Sequence, residues 1–254
     1  MNYLINLKSY LKVYLGFLFF GLITIIFTIY LPLIFLICLN NKKKFNQSVQ
    51  NIISFGFKIF LNFLKFIHYI NIDYKEIEST SLSKIIIANH ISLLDTVIIL
   101  SIIKNCNVIV NPKFTRNIFL AKIIYSAGYI VLENNSPQNK LSAYQQCIEH
   151  IKSGNKILIF PEAHRSLDGN LSKFNKGAFH LSLLLKENIS VIYFKSDKPF
   201  LTSRTSFDKV KKIIKLKLIY LGEIIPDKEV IFSRKTLNKY TEDSFSFFKE
   251  RMTL

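Results

Sequence analysis

The sequence predicts an α/β protein with a mainly parallel central sheet flanked by helices, carried behind an N-terminal membrane-embedded helical anchor. Three observations predict it. Residues 13–41 contain no charged side chain. The next two dozen residues are rich in Phe and Ile, with polar residues at helical spacing. After Asp73, short apolar runs alternate with amphipathic stretches, the rhythm of a sheet built from β-α units.

The uncharged run would measure roughly 43 Å as a straight helix, against about 30 Å of bilayer hydrocarbon. It is long enough to cross with tilt, or to enter one leaflet and bend at Pro32. A cleaved signal peptide fits less well, because the run is long and no small-residue cleavage site follows it. Lys42, Lys43 and Lys44 follow the run, whereas Lys8 and Lys12 precede it. That asymmetry places the rest of the chain on the cytoplasmic face, with a bacterial inner membrane as the natural setting.

Over 47–69 the polar residues Gln47, Asn51, Ser54, Lys58, Asn62 and Lys65 recur every three or four positions in an otherwise apolar segment. A helix of this kind is expected to lie in the headgroup plane with its lysines upward; the alternative is a helix buried against the folded domain. The expected division is a membrane anchor over 1–70 and a catalytic domain over 71–254. In the latter, strands are predicted over 84–88, 108–110, 129–132, 156–160, 191–194 and 215–221. Helices are predicted over 92–103, 118–127, 137–152 and 178–186.

The formal charge of +17 calls for a polyanionic neighbour, and anionic membrane lipid and nucleic acid both qualify. No nucleic-acid-binding motif is present, and such a role would leave the apolar segment unexplained, so no nucleic-acid partner is expected. Cys38, Cys106 and Cys147 have neither zinc-site nor disulfide-framework spacing, which suits a reducing compartment.

Two motifs carry chemistry. Asn89-His90-Ile91-Ser92-Leu93-Leu94-Asp95 follows the apolar run Ile85-Ile86-Ile87-Ala88 and opens a helical stretch. The carboxyl end of a sheet strand is where α/β proteins handle ligands. There a neutral imidazole can take a proton from a hydroxyl, and a carboxylate about one turn on can hold its other nitrogen. Spacing alone is weak evidence: His68 and Asp73 match it too, with no strand before them. The second motif, Phe160-Pro161-Glu162-Ala163-His164-Arg165-Ser166, again follows an apolar strand. Arg165 offers a fork suited to phosphate, and Glu162 could bond hydroxyls or position that Arg. Downstream, Lys176-Gly177 opens a helix as a further anion site.

Asn89-His90 with Asp95, then Phe160-Pro161-Glu162 with Arg165-Ser166, then Lys176-Gly177-Ala178-Phe179, resembles the 1-acyl-glycerol-3-phosphate (lysophospholipid) acyltransferase family in order and spacing, over roughly 85–226. The resemblance implies a glycerol-phosphate acyltransferase-like fold. It implies His90 as base, Asp95 as its orienting partner, and Glu162 and Arg165 in acceptor binding. It also implies an acyl-CoA or acyl-carrier-protein donor, a lysophospholipid acceptor, no metal and no bound cofactor. Lys113, Arg116, His164 and Lys176 complete the expected acceptor-binding set.

Several positions depart from that family's pattern. Ala163-His164 replace the usual Gly-Thr; if the glycine's φ is positive, Ala163 must be strained or the loop reshaped. His164 could add a switchable donor to an anionic headgroup. Asn111 stands where a Lys is usual, with Lys113 two residues on and Arg116-Asn117 matching the family's Arg-Asn pair. Ile118 stands where the next proline is expected. These departures bear on the acceptor more than on the reaction. Residues 105–110, Arg116-Asn117, 127–130 and Lys198-Pro199 also resemble, more loosely, a branch found with aryl polyene-type lipid biosynthesis. The expected reaction is therefore O-acylation of a lysophospholipid, most simply 1-acyl-glycerol-3-phosphate to phosphatidic acid. The alternatives are an acyltransferase of another lipid pathway (aryl polyene-type or ornithine lipid) and a catalytically decayed membrane-surface protein.

Overall fold

The computed structural model describes residues 2–38, 41–134, 136–167, 170–201, 213–227, 229 and 231–253. Leu39 and Asn40, at the end of the uncharged run, lie outside the described residues. In chain order the elements are α1 (Asn2–Ile37), α2 (Lys42–Phe66), β1 (Ile70–Asp73), α3 (Lys75–Ser79), β2 (Ile85–Ala88), α4 (Asp95–Ile102) and β3 (Cys106–Val110). A 3₁₀ turn (Pro112–Arg116) then leads to α5 (Ile118–Ser126), β4 (Ile130–Val131), α6 (Pro137–Lys152) and β5 (Lys156–Ile159). α7 (Gly177–Leu185), β6 (Ile189–Ser196), β7 (Ile214–Ile224) and α8 (Arg234–Arg251) complete the order. The described chain forms two compact units. One holds the residues up to Ile70 with Thr96–Cys147; the other holds Asn71–Asp95, 148–201 and the residues from Ile214 onward.

The first unit is built on a hairpin of α1 and α2. Small residues let the two helices approach: a Cβ on Gly56 would sit 3.4 Å from Ile23, and one on Gly16 only 3.1 Å from Leu64. Between those points Phe19 stacks on Phe63 with centroids 4.1 Å apart, and Phe20 meets Phe60 edge-on at 5.2 Å. Each such aromatic pair contributes about 0.5–1.5 kcal/mol beyond its buried area. Pro32 lies inside α1, which continues through it. The hydroxyls of Thr24 and Thr28 bond back to the carbonyls four residues earlier and so are satisfied without water.

α2 begins earlier than the polar periodicity suggests, because the Asn41 side chain caps it by accepting from the Lys44 N–H (2.9 Å). Its polar stripe divides. Ser54 donates to the Ser101 carbonyl (2.9 Å), and Gln50, just off the stripe, is buried with its amide on Asn107 Oδ1 (3.0 Å) and the Ala127 carbonyl (2.8 Å). Asn51, Lys58, Asn62 and Lys65 are exposed. α2 is thus a packed helix on one side while Ile52, Phe55, Ile59 and Phe66 remain exposed on it. β3 and β4 pair in parallel in the same unit.

In the second unit the strand order is β1-β7-β6-β2-β5. β2 runs parallel to both β5 and β6, and β7 returns antiparallel to β6. All four residues of β2 are fully buried, which is why the strand reads as a continuous apolar run. The β6–β7 ladder shifts register between Val191 and Ile192, opposite Gly222. Gly222 has φ +108°, and a Cβ there would lie 2.8 Å from the Arg251 guanidinium, which bonds the Leu221 carbonyl. α8 covers the unit through Phe248, packed edge-on against Phe174 and Tyr193.

Candidate active site

β2 is placed by ladders on both sides, so the residues that leave its carboxyl end start from a fixed point. Asn89, the first of them, is buried; its side chain donates to the Phe194 carbonyl (3.1 Å) and accepts from the Phe194 N–H (2.7 Å). The amide group extends the pairing with β6 by one rung after the backbone has turned away.

His90 follows and is held at four points. Its N–H donates to Glu162 Oε1 (2.9 Å) and its carbonyl accepts from the Ser166 N–H (2.7 Å). Its ring stacks on Phe160, centroids 4.1 Å apart and planes 18° from parallel. Its Nδ1 lies 2.8 Å from Asp95 Oδ2. An ionised Asp95 accepts from Nδ1–H, which leaves the lone pair on Nε2. The side chain is 18% exposed, so the ring is walled in without being sealed.

Asp95 is fully buried at the start of α4. Besides the imidazole it receives the N–H groups of Ile91 (2.7 Å) and Ser92 (2.8 Å) on Oδ2 and the Ser92 hydroxyl (2.5 Å) on Oδ1. A buried carboxylate is costly unless paired and hydrogen-bonded. Here the chain from His90 to Asp95 wraps around it, and the helix N-terminus adds partial positive charge.

The loop after β5 closes over the same place. Glu162 is 1% exposed, with Oε1 on the His90 N–H and Oε2 on the Ser172 N–H (2.8 Å). Burial raises its carboxyl above the ordinary range, opposed in part by those bonds. Both carboxylate oxygens therefore serve backbone amides, one of them at His90. Arg165 donates from Nη1 to the Leu201 carbonyl (2.8 Å), which also accepts from the Leu93 N–H (3.2 Å). Ala163 has φ 60°, the left-handed region, at the position where the family pattern has glycine. His164 is exposed, and Lys176 is exposed at the start of α7.

The structure thus gathers His90, Asp95, Glu162 and Arg165 into one hydrogen-bonded loop assembly. His164 lies in the same loop, and Lys176 follows it at the next helix. Lys113 and Arg116 are exposed on the 3₁₀ turn of the first unit. Three contributors went unassigned in the sequence: Ser92, Phe160 and Ser172. Ser92 was legible, since Ser-x-x-Asp is the spacing of a helix-capping box; Phe160 stood in the Phe160-Pro161-Glu162 motif without a role, and Ser172 carries no pattern of its own. Among the described residues, no group of three or more His, Cys, Asp and Glu is placed to hold a metal ion.

An imidazole–carboxylate pair at the carboxyl end of a parallel strand, with the imidazole side chain 18% exposed, has the parts an acid–base site needs to activate a hydroxyl for group transfer. A family model described as Acyltransferase matches residues 66–195, which are 130 of the 254 residues, and the chain belongs to that family. The chloroplastic 1-acyl-sn-glycerol-3-phosphate acyltransferase of Arabidopsis thaliana is 32% identical over 128 residues, 48% of this chain and 34% of that protein. A protein of the same name from Chlamydomonas reinhardtii is 32% identical over 110 residues, 42% of this chain and 31% of that one. The chain therefore spans about a third of the length of these curated relatives. In fold it is similar to the 1-acyl-sn-glycerophosphate acyltransferase of Thermotoga maritima, with a TM-score of 0.65, 18% identity, and coverage of 99% of this chain and 95% of that one.

Proposed function

We propose that this acyltransferase moves a fatty acyl group from a thioester, acyl-CoA or acyl-carrier protein, to the hydroxyl of a lysophospholipid. The acceptor we assign is 1-acyl-glycerol-3-phosphate, the substrate in the names of its relatives. The observation that carries this reading is the 2.8 Å contact between His90 Nδ1 and Asp95 Oδ2. In this reading Nε2 accepts the proton of the acceptor hydroxyl as its oxygen attacks the thioester carbonyl. Asp95 stabilises the imidazolium, which then returns the proton to the departing thiolate. The hydroxyl takes the part of the nucleophile, so no acyl-enzyme forms. Arg165, with His164 and Lys176 of the same unit, is assigned to the acidic headgroup of the acceptor.

The reaction is placed at the membrane. The stretch Tyr10–Ile37 is long and apolar enough to cross a bilayer. Its partner α2, however, carries exposed Asn51, Lys58, Asn62 and Lys65 alongside it. A spanning hairpin would take those lysines into hydrocarbon at roughly 2.5–3.5 kcal/mol each. Insertion into one leaflet lets them reach the headgroups, and is the mode we favour, on the cytoplasmic face.

The test is extraction of lipids after membranes holding the protein are incubated with labelled acyl donor and a panel of lyso-acceptors. Labelled phosphatidic acid from 1-acyl-glycerol-3-phosphate is the expected product, absent in His90→Ala. Label on another lipid alone would move the acceptor assignment. Label on none, with donor and acceptors of several kinds, would end the catalytic reading.

A further inference from the structure

We propose that the 3₁₀ turn Pro112–Arg116 and α5 form a second membrane-inserting element beside the α1–α2 hairpin, seated in the headgroup and upper acyl region of an anionic leaflet. The proposal rests on the reading of α1 as the membrane anchor and extends it to a part of the chain that no apolar run announces.

Charge is the first observation. The chain's net charge of +17 is unevenly spread. Residues 1–70 and 96–147, the main segments of the first unit, hold twelve Lys and Arg and one acidic residue, Glu133. Residues 71–95, 148–206 and 214–254 hold nineteen Lys and Arg and fifteen Asp and Glu, close to balance. A compositional bias toward lysine codons would raise both segments; it would not strip acids from one. The polyanion-facing charge thus sits on the segments that also carry the apolar helices.

The second observation is exposure. On the turn and α5, Phe114, Ile118, Phe119 and Tyr125 are exposed, with Ile118 at 63%. Lys113, Arg116 and Lys122 are exposed among them. Ile118, Lys122 and Tyr125 fall at i, i+4 and i+7, one face of the helix, while Ile124 is buried on another. Exposed aromatic and aliphatic side chains interleaved with lysine are the composition of an interfacial segment.

Continuity is the third. α5 packs against both α1 and α2 within the unit. Its exposed apolar side chains are thus carried on a helix that packs on the same hairpin proposed as the anchor. No acidic residue occurs between Lys104 and Leu132 to repel an anionic headgroup. Each lysine near such a surface strengthens recruitment about fivefold.

The chain contains no tryptophan, so a single introduced one reports alone. The full chain is prepared as Ile118→Trp and, separately, as Leu22→Trp on α1, and bound to vesicles of phosphatidylcholine with phosphatidylglycerol, with and without lipids brominated high on the acyl chain. The proposal expects bromine quenching, a blue-shifted emission and protection from acrylamide at both positions. Adding Lys122→Glu to Ile118→Trp should weaken the quenching at 118. A Trp at 118 that stays open to acrylamide and unquenched, while the one at 22 is quenched, overturns the second element and leaves the anchor standing. Both unquenched removes the anchor reading, and the proposal with it.

Discussion

Glu162 accepts the backbone N–H of His90 on one carboxylate oxygen and that of Ser172 on the other, at 2.9 and 2.8 Å. With both oxygens occupied and 1% of its surface exposed, the side chain is built to hold the His90 segment against the loop after β5. Glu162→Gln puts an amide NH₂ against one of those two donors and leaves a buried N–H unpaired, a cost of about 1–3 kcal/mol. If the cost falls on the placement of His90, kcat drops by tenfold or more while the acceptor KM holds. A side chain that bound the acceptor would instead raise KM. Steady-state kinetics over a range of 1-acyl-glycerol-3-phosphate separates the two outcomes.

The same carboxyl gives a pH signature. Burial outweighs the two N–H bonds and raises its pKa above the unfolded value. The native state therefore binds this proton more tightly than the unfolded chain does. Its contribution to stability is fully present below the unfolded pKa and is lost as pH rises through the folded one. Melting wild type and Glu162→Gln in parallel from pH 4 to pH 7 should show the wild-type advantage shrinking as pH rises. An advantage that grows over that range would mean that the hydrogen bonds, not burial, dominate at this site.

His90→Ala should cost about 10²–10⁴ in kcat, the usual contribution of a positioned general base. Asp95→Asn should cost nearly as much, because an amide no longer fixes which ring nitrogen carries the proton. Ser92→Ala is the graded case. It removes one hydrogen bond to a buried carboxylate, worth about 1.5–3 kcal/mol, and the acceptor of the Leu94 N–H, but leaves the Ile91 and Ser92 N–H groups and the imidazole on Asp95. Ser92→Ala should thus fall between wild type and Asp95→Asn in kcat. Equal loss in Ser92→Ala and Asp95→Asn would show that the hydroxyl, not the tautomer, limits the reaction.

The sheet was legible where buried Ile and Leu dominate the strand. β2 and β5 end within a residue of expectation, because unbroken Ile and Leu runs leave no other reading. α6 begins at Pro137 and ends at Lys152, as its Pro start and following Ser-Gly imply. α8 was not legible. It buries Thr241, Ser244 and Phe248, and small polar residues on the inner face dilute the apolar period. Its Ser233–Thr236 capping box was a clue that a stop after β7 concealed. β1 and α3 are too short for any periodicity to emerge. At the site, the apolar strand before the motif singled out His90 and Asp95 where spacing alone matched His68 and Asp73 as well, but the partners of Glu162 are backbone amides, and backbone partners leave no mark in a sequence.

Ala163 is where sequence and backbone disagree, and the disagreement can be measured. A left-handed conformation costs a non-glycine residue roughly 1–2 kcal/mol. Ala163 adopts it at φ 60°, in the turn closed by its own N–H to the Phe160 carbonyl (3.0 Å). Glycine would relieve that cost but would add freedom to the unfolded chain worth about 0.4–1 kcal/mol. The difference favours Ala163→Gly by up to about 1.6 kcal/mol, a small rise in melting temperature. The side chain is exposed and bonds nothing, so the positions of Glu162 and Arg165 on either side need not change. Thermal melts should therefore show modest stabilisation at unchanged kcat. A variant that is less stable would mean the surrounding bonds, from Phe160 to Asn175, hold the turn so firmly that only the added chain entropy is felt. A variant that is as stable but slower would mean that the strain at Ala163 is transmitted to the Glu162 carboxylate and keeps His90 in register.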